Sequence, residues 1–243
     1  MSFDDLASLP ALGLLVPPAN PTVEPEMARL IRDGARLFAT RLPVMPDTTL
    51  EERNRAYIAS YEPALRSFGT LRLDAATVAL TGPCYRLGRD QDDALAARLS
   101  AAAGFPVETA SGAIRHALTA LGAKRICLFS PYPAWLTQHA ADYWTGAGFT
   151  IAQVVKVSET FRAYELTTAE VAAALEQVER TGIDAIVMSG TGMITLPAML
   201  RRSGGAPLLS SNICCAWWMM KAAGVAPGET FARACPPLAA TLG

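Results

Sequence analysis

The 243-residue sequence predicts an α/β protein made of two similar parallel-sheet lobes that face each other across a cleft. Three observations lead there. Short apolar runs alternate with longer segments of helical period. A strand-and-turn unit occurs twice, and the second strand of each copy ends in glycine.

The elements can be justified in order. Leu12-Gly13-Leu14-Leu15-Val16 is a continuous apolar run that stops at Pro17-Pro18, as a strand buried on both faces does. From Thr22 to Asp33, Val23, Met27, Leu30 and Ile31 share one helical face, and Gly34 ends the segment. Further strands are expected at Leu37–Leu42, Thr77–Thr81, Phe105–Val107, Arg125–Phe129, Thr150–Val155, Ala185–Met188 and Pro207–Leu209. Helices are expected at Glu51–Phe68, Asp90–Ala103, Ser111–Leu121, Pro133–Thr145, Thr168–Arg180, Leu196–Arg202 and Asn212–Ala223.

Composition narrows the function. Hydrophobic residues make up 51% and charged residues 18%, which is material for a buried core and not for a disordered chain. The net charge is −1 with no basic stripe, so nucleic acid is not an expected partner. Met1-Ser2-Phe3-Asp4-Asp5 lacks the pattern of a secretory signal, and no apolar run approaches the roughly 18 residues of a membrane span. The five cysteines show no C-x-x-C spacing and there are only two histidines, His116 and His139. The expected setting is reducing cytoplasm, with no metal, no cofactor and no membrane partner.

The repeat places the chemistry. Leu14-Leu15-Val16-Pro17-Pro18 and Cys127-Leu128-Phe129-Ser130-Pro131-Tyr132 each open a strand-to-helix turn. About sixty residues beyond each comes a matched strand, Ala76–Thr81 then Gly82, and Ala185–Ser189 then Gly190. In open parallel sheets, ligands sit beyond the carboxyl ends of the strands. Two facing lobes therefore bring four such loops to one cleft.

At those loops the sequence resembles the aspartate/glutamate racemase superfamily, in its maleate cis-trans isomerase and arylmalonate decarboxylase branch. Val16-Pro17-Pro18-Ala19-Asn20-Pro21-Thr22-Val23-Glu24-Pro25-Glu26 is similar to the opening motif of maleate isomerases, and Val16-Pro17-Pro18-Ala19 is similar to the decarboxylases. Ser130-Pro131-Tyr132 resembles the family's S/T-P-Y turn. The similarity continues through Gly104–Thr109 and Ala117–Gly122. It implies two flavodoxin-like lobes related by a pseudo-twofold axis, with residues 1–110 plus 210–243 in one and 111–209 in the other. The implied ligand is a small carboxylate. Asn20 would hold a carboxylate, and the Tyr132 hydroxyl would donate to a carboxylate or enediolate oxygen. The expected binding set is Pro18, Asn20, Gly82, Pro83, Ser189, Gly190, Thr191 and Gly192. A homo-oligomer is left open.

One departure matters. Members of that superfamily carry a catalytic Cys at the end of each central strand, or at the second only in the decarboxylases. Here those positions are Gly82 and Gly190.

Reaction at a carbon beside a carboxylate needs donors for the enediolate oxygens and a group that moves a proton at that carbon. The turns at Gly82-Pro83-Cys84 and Gly190-Thr191-Gly192 offer backbone N–H groups, though Pro83 has none. Cys84 is the sequence's candidate for a displaced nucleophile or acid. Arg86 and Arg89 are candidates to clamp a carboxylate. At most one of Cys214 and Cys215 can face the cleft, Cys127 reads as core, and Trp217 is a candidate wall for an apolar pocket. The leading expectation is a cofactor-independent lyase or isomerase, most simply a decarboxylase of a substituted malonate. The alternatives are a maleate-type isomerase or racemase using Cys84, and a carboxylate-binding protein without catalysis.

Overall fold

A computed structural model describes residues 3–179, 181–202 and 204–242. The first lobe begins with α1 (Phe3–Ser8), β1 (Ala11–Val16), α2 (Val23–Ile31), β2 (Arg36–Arg41), α3 (Leu50–Arg66) and β3 (Ala75–Val78). It continues through α4 (Gly82–Leu87), α5 (Arg89–Ala103), β4 (Val107–Thr109) and α6 (Ala110–Ala120). Then come β5 (Arg125–Ser130), α7 (Ala134–Gly146), β6 (Thr150–Lys156), α8 (Thr168–Leu175), β7 (Ala185–Met188) and α9 (Leu196–Arg201). The chain closes with β8 (Leu208–Ser210), α10 (Ser211–Ala223), α11 (Glu229–Ala234) and α12 (Pro236–Ala239).

The strands form two four-stranded parallel sheets, ordered β2-β1-β3-β4 and β6-β5-β7-β8. The second repeats the first strand for strand, and both follow the flavodoxin-like order. The central strands β1, β3 and β7 are buried along their whole length, which is why they read as unbroken apolar runs.

The repeat extends to polar detail. Asp74 accepts from the N–H of Ala11 at the start of β1, and Asp184 accepts from that of Arg125 at the start of β5. Helices α3 and α8 both start with a capping box, Thr49 with Glu52 and Thr167 with Glu170. Thr109 caps α6 and Ser210 caps α10, each accepting from the N–H three residues on. Helices α6 and α10 follow the last strand of each sheet and pack on one another. Each also reaches the last strand of the opposite sheet, so the lobes are joined by a reciprocal exchange of helices.

Several boundaries differ from expectation for physical reasons. Pairing in β4 starts at Val107 and not at Phe105, because Pro106 has no N–H to give to a ladder. Strand β3 ends at Val78, where the Leu80 N–H turns back to the Val78 carbonyl at 2.8 Å. The helix expected over Thr168–Arg180 ends at Leu175, with Gln177 and Val178 bonding to carbonyls three residues back. Arg180 itself lies outside the described residues. The segment after Gly82, read as a turn, winds into α4 with Pro83 in its first turn, where a missing N–H costs nothing. Helices α1, α11 and α12 carry no periodic signal long enough to be read from sequence. Among the described residues, no helix is long and apolar enough to cross a membrane.

Candidate functional site

The four predicted strand-end loops meet. A cleft of about 310 Å³ is lined by Pro17, Pro18 and Ala19 after β1, and by Leu80, Thr81, Gly82 and Pro83 after β3. From the other lobe come Tyr132 after β5 and Gly190, Thr191 and Gly192 after β7. Val44, Met45, Leu50, Leu136, Phe161 and Ala163 make much of the remaining wall apolar. Such a volume suits a small organic molecule.

Tyr132 is the polar centre. Its hydroxyl lies 2.6 Å from Thr81 Oγ1, joining the two lobes at the cleft wall. Its ring is stacked on Phe161, 8° from parallel. Burial pushes the phenol up to about 12, so at neutral pH it is an uncharged donor. Behind it, the Tyr85 hydroxyl lies 2.7 Å from Ser189 Oγ, a second hydroxyl pair across the lobes. Among the described residues, no backbone carbonyl outside helices and strands accepts from the N–H of Gly82, Gly190, Thr191 or Gly192, and all four residues line the cleft.

The two glycines at the family's thiol positions are not equivalent. Gly190 has φ +88°, a backbone conformation that disfavours any side chain. A Cβ there would also lie 3.0 Å from Pro131 Cγ and 3.2 Å from the Tyr132 hydroxyl. Gly82 has ordinary helical backbone, and its Cβ would meet only the Asn54 side-chain amide, at 3.1 Å. Gly190→Ala is therefore expected to lower stability by about 2 kcal/mol in urea denaturation, and Gly82→Ala by less than half of that. Equal losses would contradict this reading of the two turns.

Several predicted site residues are placed otherwise. Cys84 is fully buried on α4 and is not among the residues lining the cleft. Its thiol faces Asp92, and burial followed by that carboxylate raises its pKa far above the usual thiol range. A helical turn carries Cys84 round to the protein side while Gly82 and Pro83 stay on the cleft side. None of the five cysteines lines the cleft, and all are buried. The thiol expected near the cleft thus lies off its described wall.

Asn20 is buried, and its amide is engaged within the protein. Its Oδ1 accepts from the N–H groups of Thr22 and Val23 at the start of α2, and its Nδ2 donates to Thr191 Oγ1. The Thr191 hydroxyl in turn donates to the Ala79 carbonyl at 2.7 Å. Asn20 and the Thr191 hydroxyl thus fasten the loops that shape the cleft. Ser189 is likewise engaged with Tyr85 and does not line it. Arg86 and Arg89 pair with Glu51 and Asp93 outside the cleft. The Trp217 indole donates to Thr241, away from the cleft.

What the sequence reading missed is on α3 and on the 157–166 loop. Arg53, Asn54, Tyr57 and Tyr164 all line the cleft. Burial raises the Tyr57 and Tyr164 phenols, so both are neutral. The available signal was the stripe Leu50, Arg53, Asn54, Tyr57 at helical spacing, with polar residues where a buried face usually carries apolar ones.

Comparison with known proteins agrees with this geometry. A family described as arylmalonate decarboxylase matches residues 12–232. Maleate isomerase of Nocardia farcinica is 29% identical over 86% of this chain and 88% of its own length. Arylmalonate decarboxylase of Bordetella bronchiseptica is 28% identical over 90% of this chain and 92% of its own. A cysteine mutant of the maleate isomerase Iso from Pseudomonas putida S16, solved with maleate, superposes with a TM-score of 0.81 at 20% identity, covering 96% of this chain and 98% of that one. With the profile spanning both lobes and all four cleft loops, the chain belongs to the arylmalonate decarboxylase family.

Proposed function

We propose that this protein is a cofactor-independent lyase acting at the carbon α to a carboxylate of a small dicarboxylic acid, most simply a decarboxylase of a substituted malonate. The observation that carries the reading is a cleft with apolar walls in which Tyr132 and the glycine turns are donors for enediolate oxygens.

The chemistry follows from the charge that develops. The bond between the α-carbon and one carboxylate breaks, carbon dioxide leaves, and the electron pair passes into the remaining carboxylate to give an enediolate. The neutral Tyr132 hydroxyl and the N–H groups of the glycine turns are donors for its oxygens. The apolar walls strengthen those hydrogen bonds and disfavour the departing charge. The α-carbon then takes its proton from water, since no cysteine lines the cleft. The same lack weighs against cis-trans isomerisation, which needs a nucleophile that adds to the alkene and leaves again.

The test is turnover of phenylmalonate, methylmalonate and maleate by the purified protein, followed by carbon dioxide release and by proton NMR. Carbon dioxide from a malonate with a monocarboxylate product is the expected result. Fumarate from maleate would replace this reading with an isomerase. Binding without turnover would favour a second reading, a carboxylate-binding protein without catalysis. That reading has its own support in the two glycines at the thiol positions, one of them in a backbone conformation that resists a side chain.

A further inference from the structure

Helix α3 presents Leu50, Arg53, Asn54 and Tyr57 to the cleft, a single stripe at i, i+3, i+4 and i+7. Further along the same helix, Tyr61, Ala64 and Leu65 continue as core. Within the stripe, two polar residues are under-used. The Asn54 side chain is 4% exposed, and its Nδ2 has no hydrogen-bond partner among the described residues. Its amide lies beside Gly82, against the space a side chain there would fill. A buried N–H without an acceptor is costly, so an aligned pair of residues that leaves one open marks a place where a ligand supplies the acceptor.

Arg53 strengthens the case. Its guanidinium donates to the Thr48 carbonyl at 3.0 Å, and no carboxylate of the described residues pairs with it. The neighbouring acids are engaged elsewhere, Glu51 with Arg55 and Arg86, and Glu52 in the α3 capping box. No Asp or Glu lines the cleft, so Arg53 is the one formally charged side chain among the described residues of its wall. A guanidinium has five N–H donors, and most of these remain open to an anion.

We propose that Arg53 and Asn54 form an anion subsite for an acidic group on the substituent of the substrate, separate from the carboxylate that reacts. The inference rests on the cleft being a carboxylate site. An arginine held on the departing carboxylate would stabilise the charge that decarboxylation removes and so oppose the reaction. Its partner is therefore a group that survives the reaction, and the product retains a second, distal acid beside its carboxylate. Gly82 places no side chain against the buried, unpartnered Asn54 amide, so a ligand group entering beside it meets that donor.

The test is calorimetric binding of matched product analogues, glutarate against pentanoate and succinate against butyrate, which differ by one distal carboxylate. Wild type is expected to prefer one diacid over its monoacid partner by about tenfold or more. Arg53→Met and Asn54→Ala are each expected to reduce that preference to within about threefold while leaving monoacid affinity unchanged. A purely structural Arg53, holding the loop through Thr48, would instead weaken both ligands together and overturn the proposal. Asn54→Ala leaves the Arg53 hydrogen bond to the Thr48 carbonyl in place, so it decides the matter should Arg53→Met fail to fold. Equal binding of diacid and monoacid by wild type would overturn the subsite alone. Binding of neither acid would overturn the carboxylate reading of the cleft with it.

Discussion

Tyr132→Phe is expected to lower kcat for decarboxylation of an arylmalonate by about 10²–10³, with a much smaller change in KM. The reasoning is differential. In the proposed reaction the hydroxyl would meet a carboxylate oxygen in the ground state, and that oxygen would gain charge as the enediolate forms, so the hydrogen bond would matter most in the transition state. The phenol is already fixed, by its stacking on Phe161 and by Thr81 at 2.6 Å, so no reorganisation is needed as the reaction proceeds. Its pH behaviour gives a second check. Burial raises the folded pKa to about 12 from an ordinary 10.0, so the donor form persists as pH rises through the usual tyrosine range. The hydroxyl accordingly contributes no basic limb to the rate profile below about pH 11, while the stability it lends the native state is full below pH 10 and is lost as pH rises from 10.0, where the unfolded phenol ionises, to about 12. Steady-state kinetics across pH on wild type and Tyr132→Phe measure both, and a kcat within threefold of wild type would remove Tyr132 from the chemistry.

The second large effect is on stability. Glu26 on α2 is 5% exposed and is held by donors from the start of α9 and from α10. It accepts from the N–H groups of Thr195 and Leu196, both at 2.7 Å, from the Thr195 hydroxyl, and from Asn212 Nδ2 at 2.8 Å. Burial raises its pKa, and these hydrogen bonds pull it back down. Glu26→Ala leaves two backbone N–H groups and one N–H of the Asn212 amide buried without an acceptor. The expected loss is about 3–5 kcal/mol, with a melting temperature lower by roughly 10 °C. Glu26→Gln keeps one acceptor oxygen and the volume, so it should fall between the two in urea denaturation. A Glu26→Ala protein within 1 kcal/mol of wild type, on the scale of an ordinary surface substitution, would show the clamp to be dispensable. Asn212 also donates to the Thr191 carbonyl at 3.0 Å, so loosening this clamp reaches the cleft turn as well.

The two predictions divide the opening motif and its partners by role. Residues 16–26 look from sequence like a ligand-binding segment. In the structure only Pro17, Pro18 and Ala19 of the stretch border the cleft, with Val16 in the strand behind them. Asn20, Thr22 and Glu26 bind the opposite lobe, Thr22 through the Gly192 carbonyl at 2.7 Å. Their polar character reflects a buried lobe-to-lobe junction, where each donor must find an acceptor.

The sequence by itself determined the fold and the location of the cleft. Apolar runs of strand length, helical periods between them and a repeated strand-and-glycine turn are local patterns, and local patterns survive being read along a line. They named Gly82, Pro83, Tyr132 and Gly190 to Gly192 as neighbours, and the structure brings these to one wall. Only the tertiary structure decided which side chains face that wall. Cys84 is two residues from Gly82 in sequence, yet the short helix α4 turns it inward beside Asp92. Arg53 and Asn54 lie about thirty residues from Gly82 in sequence, yet α3 brings both to the same cleft wall and lays Asn54 against it. Facing depends on helix rotation and on which donors are already engaged across the lobes, and both are fixed by long-range packing that no stretch of sequence contains.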